Sequence, residues 1–324
     1  MLSLQDISTT AASPVPLVHA RELPRPTRAV RNGELVSVRR GIYAPASAWH
    51  RLAPWDRYLA RVLAVAMTHP EAVFSHESAA ALEGLPILGD PIVVHVLARR
   101  GETARLGSGI RTHTAADDRE ILESGGILRT SARELTVDIA RSRHPGYALA
   151  VADAALRADE SLSVEALVAT NEARSTSRGR RLARWPLHRA DGAAESTLES
   201  LSRVVIEWLG FPEPALQQWF VSSDGTRDRG DFAWLEAGVV GESDGDLKYD
   251  GSSGEPLRLL RDRRARDARL REHVRSVTHW SWDDVSDPPR FGRLLQSAGL
   301  RPVAPEATAQ LFSLRRLLHA RTPV

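Results

Sequence analysis

The chain has 324 residues and a mass of 35.6 kDa, too long for one ordinary domain and suited to two or three. Hydrophobic residues make up 42% and there is no cysteine, so buried cores are expected while disulfides, thiolate metal sites and a cysteine nucleophile are excluded. A net charge of +2 excludes a uniformly basic nucleic-acid coat; local basic patches remain open, because every one of the 43 cations except Lys248 is arginine.

Residues 1–50 read as a small unit in which Pro14, Pro16, Pro24 and Pro26 keep the helices short. The basic stretch Arg21 to Arg31 leads into GELVSVRRGIYAP, two short strands turning at Arg39, Arg40 and Gly41. Short helices followed by a basic hairpin predict a winged helix-turn-helix, with Arg39 and Arg40 as DNA contacts at the wing tip. Residues 51–175 predict a mixed α/β segment. It has a helix over Arg57 to Met67, a second capped by Ser75, strands at 92–97, 109–114 and 126–131, and three more helices, the last capped by Ser163.

Residues 175–190 carry five arginines and no acid, and are expected to form a basic linker at a domain boundary. From 191 to 302 the pattern predicts one helix ending at Gly210, three strands, a helix, a strand and a helix. A helical tail follows over 303–324. Six of the eight tryptophans lie beyond residue 184, so this part should have its own core. The fold class is therefore mixed α/β and multidomain. No apolar run reaches the roughly 20 residues of a membrane span and no basic-then-apolar leader opens the chain. The expectation is a cytoplasmic protein with no membrane partner.

The sharpest chemistry lies in the hairpin GDFAW to VVGESDG. A turn at Ala237-Gly238 would set Asp231 opposite Asp244 and Ala233 opposite Glu242, placing Asp231, Glu242 and Asp244 on one face. Phe232 and Trp234 would face a helix on the other side. Three clustered carboxylates need a proton or a cation, and an all-oxygen set suits Mg²⁺ or Mn²⁺. The same arithmetic admits a solvated acidic edge. Lys248 follows Asp244 by four residues, where an ammonium can support a developing anion. Glu195 and Glu199 lie one turn apart at the start of the preceding helix, and Gln217 on the first strand can join the face. On the later helix Arg258 to Arg275, a row including Arg261 and Arg264 offers either surface ion pairs or phosphate contacts. His279 can project near the acids, whereas His76 in FSHES reads as structural. No GxGxxG, P-loop or HExxH motif occurs.

Taken in order, AESTLESL, GDFAW, VGESDGDLKY, LRDRRARDARLREH and VTHWSWDDV resemble the PD-(D/E)XK nuclease superfamily, in particular the branch of very-short-patch-repair endonucleases. The resemblance implies a restriction-endonuclease-like αβββαβ core over 191–302 and a Mg-dependent endonuclease. Asp231 and Glu242 would ligate the metal, Asp244 would take the third motif position and Glu195 or Glu199 would be the helix acid. Two residues depart from the pattern. Asp244 stands where lysine is usual, with Lys248 displaced beyond it, and Gly230 replaces the proline before the first Asp.

LVSVRRGIYAP, FSHESAAALEGLPI and GILRTSARELTVDIAR resemble the AbiEi-type antitoxin family, which implies operator DNA and a cognate toxin as partners. Together the two resemblances describe an arrangement of the actinobacterial type. They imply a DNA-binding protein with an endonuclease-like domain, or alternatively a non-catalytic antitoxin-like repressor of a toxin–antitoxin system.

Overall fold

A computed structural model describes residues 12–99, 101–245 and 256–319. The described residues form two compact units that divide between Ala190 and Asp191. The fold is mixed α/β. Among the described residues no helix is long and apolar enough to cross a membrane.

The first unit opens with β1 (Val18–His19), a 3₁₀ turn (Ala20–Glu22), α1 (Pro26–Arg31), β2 (Leu35–Arg39), β3 (Ile42–Pro45) and α2 (Ala46–Trp49). The three strands form a sheet in the order β1-β3-β2. β2 and β3 turn through Arg40 and Gly41, whose φ of +87° glycine adopts without strain. Arg40 is exposed there, but Arg39 closes the strand and is half-buried, so it does not sit at the open tip. Among the described residues α1 is the one α-helix ahead of this hairpin, and its six residues bury nothing fully.

The unit continues with α3 (Pro54–Thr68), β4 (Val73–Phe74), α4 (His76–Leu82), β5 (Val94–Leu97), β6 (Arg105–Gly107), β7 (Ile110–His113), β8 (Ile121–Ser124) and β9 (Ile127–Thr130). These strands make one mixed sheet in the order β6-β7-β5-β4-β9-β8. The sequence pattern misses β4, β6 and β8. β4 has two residues, and β6 and β8 are largely exposed, so none shows apolar alternation. Four helices complete the unit: α5 (Ala132–Ser142), α6 (Pro145–Ala158), α7 (Val164–Ala173) and α8 (Arg180–Arg189). Ser131 and Ser163 cap α5 and α7 through their hydroxyls. Ser75 occupies the N-cap position of α4 but makes no capping bond; its hydroxyl meets His76 Nδ1 at 3.1 Å.

The expected linker at 175–190 is instead helix α8, packed on α5, α6 and α7. Ala183, Pro186 and Leu187 are buried at helical spacing, while Arg184 pairs with Glu172 at 2.9 Å. The arginines occupy the outer face and hide the apolar one, so composition reads as linker where spacing reads as helix. The boundary therefore falls at residues 190–191, and residues 1–50 and 51–175 belong to one unit rather than two.

Three histidines gather in this unit. The His76 and His113 rings stack with centroids 4.0 Å apart, and His95 Nδ1 meets His113 Nε2 at 2.8 Å. His76 holds φ at +49°, a region that non-glycine residues seldom enter. Burial, then the neighbouring histidines and Arg143, hold His76 well below its ordinary pKa. Burial lowers His95 and His113 to about 4.

The second unit comprises α9 (Thr197–Trp208), β10 (Ala215–Val221), β11 (Arg227–Trp234), β12 (Val239–Ser243), α10 (Pro256–Leu270), β13 (Ser276–Trp280), α11 (Trp282–Val285), α12 (Pro288–Ser297) and α13 (Thr308–His319). Its strands lie in the order β10-β11-β12-β13, antiparallel except that β12 and β13 run parallel. Parallel pairing needs a crossover, which contains α10.

The hairpin register differs from the sequence expectation. Phe232 faces Gly241 and Trp234 faces Val239, because Leu235 to Gly238 form a four-residue turn. The register is shifted by two residues. A two-residue shift preserves side-chain faces, so Asp231 comes opposite Glu242 instead of Asp244.

One sheet face packs Phe232, Trp234 and Trp280 together, with Trp280 also against Phe291 at 5.1 Å. Trp280 Nε1 donates to Ser202 Oγ of α9 at 2.8 Å. Gly241 makes this packing possible, since a Cβ there would lie 2.2 Å from the Trp280 ring. On the other face Phe220, Ala233, Val240, Leu270 and Val274 form a core with α10. Ala233 pairs with Ala215 and Phe220 with Asp228, positions of opposite parity. The β10–β11 ribbon therefore reverses its faces between them, where Gln217 takes φ +52°.

Two predictions follow from the packing. Gly241→Ala should destabilise the second unit by about 1–3 kcal/mol through overpacking, read as a lower melting temperature. In the first unit the folded histidines bind fewer protons than the unfolded chain between about pH 4 and 6.5. Its stability should be full above that window and fall as the pH drops through it. Calorimetry of the full chain should show a flatter pH dependence in His113→Gln.

Candidate functional site

The C-terminal end of β12, the middle of β11 and the start of α9 bring three carboxylates into one electrostatic cluster. Asp231 Oδ2 accepts from the Ser243 backbone N–H at 2.9 Å and from Ser243 Oγ at 3.1 Å. Glu242 is 4% exposed and pairs with Arg266 of α10 at 2.8 Å. Burial, and then the charge of Asp231, push Glu242 up to about 7, against the pull of Arg266 and His279. Glu199 is raised by burial and by Asp231, although its carboxylate accepts from the Glu195 N–H and from Gln217 Nε2, each at 2.8 Å.

Ser196 caps α9 by accepting from the Glu199 N–H at 3.1 Å, which fixes Glu199 in the first turn and aims its side chain back past the helix start. Glu199 is thus the buried helix acid. Glu195 is half-exposed and pairs with Arg229 at 2.6 Å. Gln217 does join the cluster, and its Oε1 is buried without a hydrogen-bond partner. Gly230 stands where space is short, since a Cβ would lie 2.9 Å from Val240 Cγ1.

Asp244 is drawn into a second network. Arg263 reaches it at 2.6 Å and His279 Nδ1 at 3.3 Å, while His279 Nε2 meets Asp267 at 3.0 Å. His279 lies opposite Glu242 in the parallel register, so the expectation that it projects near the acids agrees with its position. Lys248 lies outside the described residues.

The arginines of α10 that meet the acids are Arg263, Arg266 and Arg269, the last held on Asp228 at 2.6 Å. Arg261 and Arg264, the expected phosphate contacts, are exposed and meet none of these acids. The signal for the correct face was the 263-266-269 spacing in phase with Leu270. In a helix where arginine occupies so many positions, charge alone does not select a face.

Among the described residues, no group of three or more acidic or histidine side chains is arranged to hold a metal ion by itself. Asp231 and Glu242 nevertheless form a facing pair at the sheet, with the orphaned Gln217 oxygen close to Glu199. Mg²⁺ is commonly bound through one or two carboxylates, keeping waters and substrate phosphate as its other ligands.

Together the fold and site define a two-unit α/β protein with a carboxylate cluster at one end of its four-stranded sheet. The chain belongs to the same family as the uncharacterized protein Rv2248 of Mycobacterium tuberculosis (strain ATCC 25618 / H37Rv) and the uncharacterized protein MT2308 of strain CDC 1551 / Oshkosh. Each is 33% identical over 267 residues, covering 82% of this chain and 91% of the relative. No protein-family model and no solved structure matches the chain.

The Asp231 charge is one cause of the high Glu242 pKa. Asp231→Asn should bring Glu242 down toward the ordinary carboxylate range, measured by NMR titration of its side-chain carboxyl carbon. A Glu242 titration unchanged near pH 7 would show that burial alone sets it.

Proposed function

We propose that the chain is a cytoplasmic DNA-acting protein whose second unit hydrolyses phosphodiesters with Mg²⁺ or Mn²⁺. The observation that carries this reading is the buried Glu242 beside the half-buried Asp231. Burial and then the Asp231 charge outweigh the pull of Arg266 and push Glu242 up to about 7. A divalent cation, like a proton, can relieve the pair. The element order α9-β10-β11-β12-α10-β13 supports the same reading, since it is the order that the resemblance to PD-(D/E)XK nucleases implies.

Asp231 and Glu242 would hold the ion, with Ser243 fixing the orientation of Asp231. Glu199, supported by Gln217, would position a water on the helix side. When bound, the ion would polarise the phosphate and lower the pKa of a bound water. Arg263 and Arg266 flank the acids and would orient the phosphate by charge-assisted hydrogen bonds. The exposed Arg40 of the first unit would add a sequence-independent backbone contact.

A second reading rests on Asp244. This acid takes the third motif position, where the resemblance implies lysine, and it is itself tied to Arg263 and His279. The chain would then bind operator DNA without cutting it, as an antitoxin-like repressor with a toxin as partner.

Cleavage assays separate the two. Wild type should cut some DNA substrate with Mg²⁺ or Mn²⁺, more readily above pH 7 than below as Glu242 loses its proton to the ion. Asp231→Asn should lose at least about a hundredfold, the scale of removing a preorganised electrostatic group. DNA binding with no cleavage of single-stranded, duplex or mismatched DNA under either metal would establish the repressor reading instead.

A further inference from the structure

The edge strand of the second unit carries a large exposed aromatic. Trp219 on β10 is 50% exposed and Val221 is 56% exposed. An unpaired edge strand bearing such residues is a liability for edge-to-edge pairing, and proteins usually place charge there. Charge is present, in a particular form. Arg227 lies 4.8 Å and Arg229 5.6 Å from the indole ring. Trp219 pairs with Arg229 and Val221 with Arg227 across the ribbon, so all four side chains share one face.

The face reversal at Gln217 determines where this patch lies. Trp219 is two residues beyond Gln217, and Arg229 is two residues before Asp231. That is about 7 Å along each strand. The carboxylate cluster and the aromatic–guanidinium patch are therefore neighbours along one ribbon on either side of the reversal, and Arg229 links the patch to the start of α9 through its pair with Glu195.

An exposed indole flanked by guanidinium groups has the chemistry of a nucleobase platform. The ring stacks a base of any sequence and the cations meet the adjoining phosphates. In duplex DNA the base faces are already stacked on one another, so such a platform selects unpaired nucleotides. We propose that Trp219, with Arg227 and Arg229, stacks an unpaired base of a DNA strand, so that the substrate class of the neighbouring site is single-stranded DNA or a single-stranded segment beside a duplex. This inference rests on the DNA-acting reading given above.

The test measures binding rather than cleavage. The full chain carrying Asp231→Asn serves as host, and fluorescence anisotropy follows labelled oligothymidine and a labelled duplex without metal. Trp219→Ala in this host should weaken oligothymidine binding about ten- to a hundredfold and leave duplex binding as it was. Trp219→Phe should keep most of the affinity, and an unchanged melting temperature shows that the fold persists. Arg227→Ala should reduce the slope of log affinity against log salt by about one. Equal effects on both DNAs, no effect on either, or no oligothymidine binding by the host would each overturn the inference. None of these results bears on cleavage by the wild type. Conversely, wild type that never cuts but binds oligothymidine through Trp219 would sink the nuclease reading and sustain this one.

Discussion

Two carboxylates on adjacent strands, Glu242 buried and Asp231 half-buried, repel each other more strongly than in water, because less solvent screens them. The antiparallel pairing of β11 with β12 runs to Phe232 and Gly241 and so sets Asp231 and Glu242 at its end. Much of the second unit is arranged around the resulting charge. Arg266 reaches in from α10, Ser243 turns its backbone N–H and hydroxyl onto Asp231, and burial with the Asp231 charge pushes Glu242 up to about 7. Such tension is uncommon in a purely structural sheet, where an apolar pair would pack at lower cost. It is the arrangement expected where a group must be poised to exchange a proton for another positive species.

The opposite face of the same sheet is conventional, and the contrast is informative. Phe232, Trp280 and Phe291 interlock with Ser202 as the polar partner of the indole, and Gly241 leaves room for the ring. This apolar layer holds β11 and β12 in register. A slip of one residue would turn Phe232 toward α10 and Asp231 into the aromatic core. The aromatic packing thus prevents the carboxylates from relaxing apart. Stability on one side of the sheet maintains electrostatic tension on the other.

Much of this arrangement is legible in the sequence, because period-two alternation carries the face of every hairpin residue. The turn was placed two residues off, yet Asp231 and Glu242 still share a face, since a shift of two leaves parity intact. Element order in the second unit is equally readable from its caps and glycine stops. Three features are hidden. The reversal at Gln217 breaks the alternation within a strand, and no local residue type announces it. Helix α8 is masked by arginines on its outer face. The acid-facing side of α10 is masked in the same way, because arginines surround the helix and only the packing of Leu270 with Val240 selects Arg263 and Arg266 over Arg261 and Arg264.

The parallel pairing of β12 with β13 bears on the order of assembly during synthesis. Both acids of the facing pair are present once residue 242 has emerged, but Arg266 and His279 follow on α10 and β13. A crossover must form before the last strand can dock, and non-local parallel pairing is a slow step in folding. A nascent chain ending before β13 would carry the charge-dense hairpin without its arginine counterweights or the Trp280 clamp. The carboxylate pair therefore becomes organised only after α10 and β13 have been made.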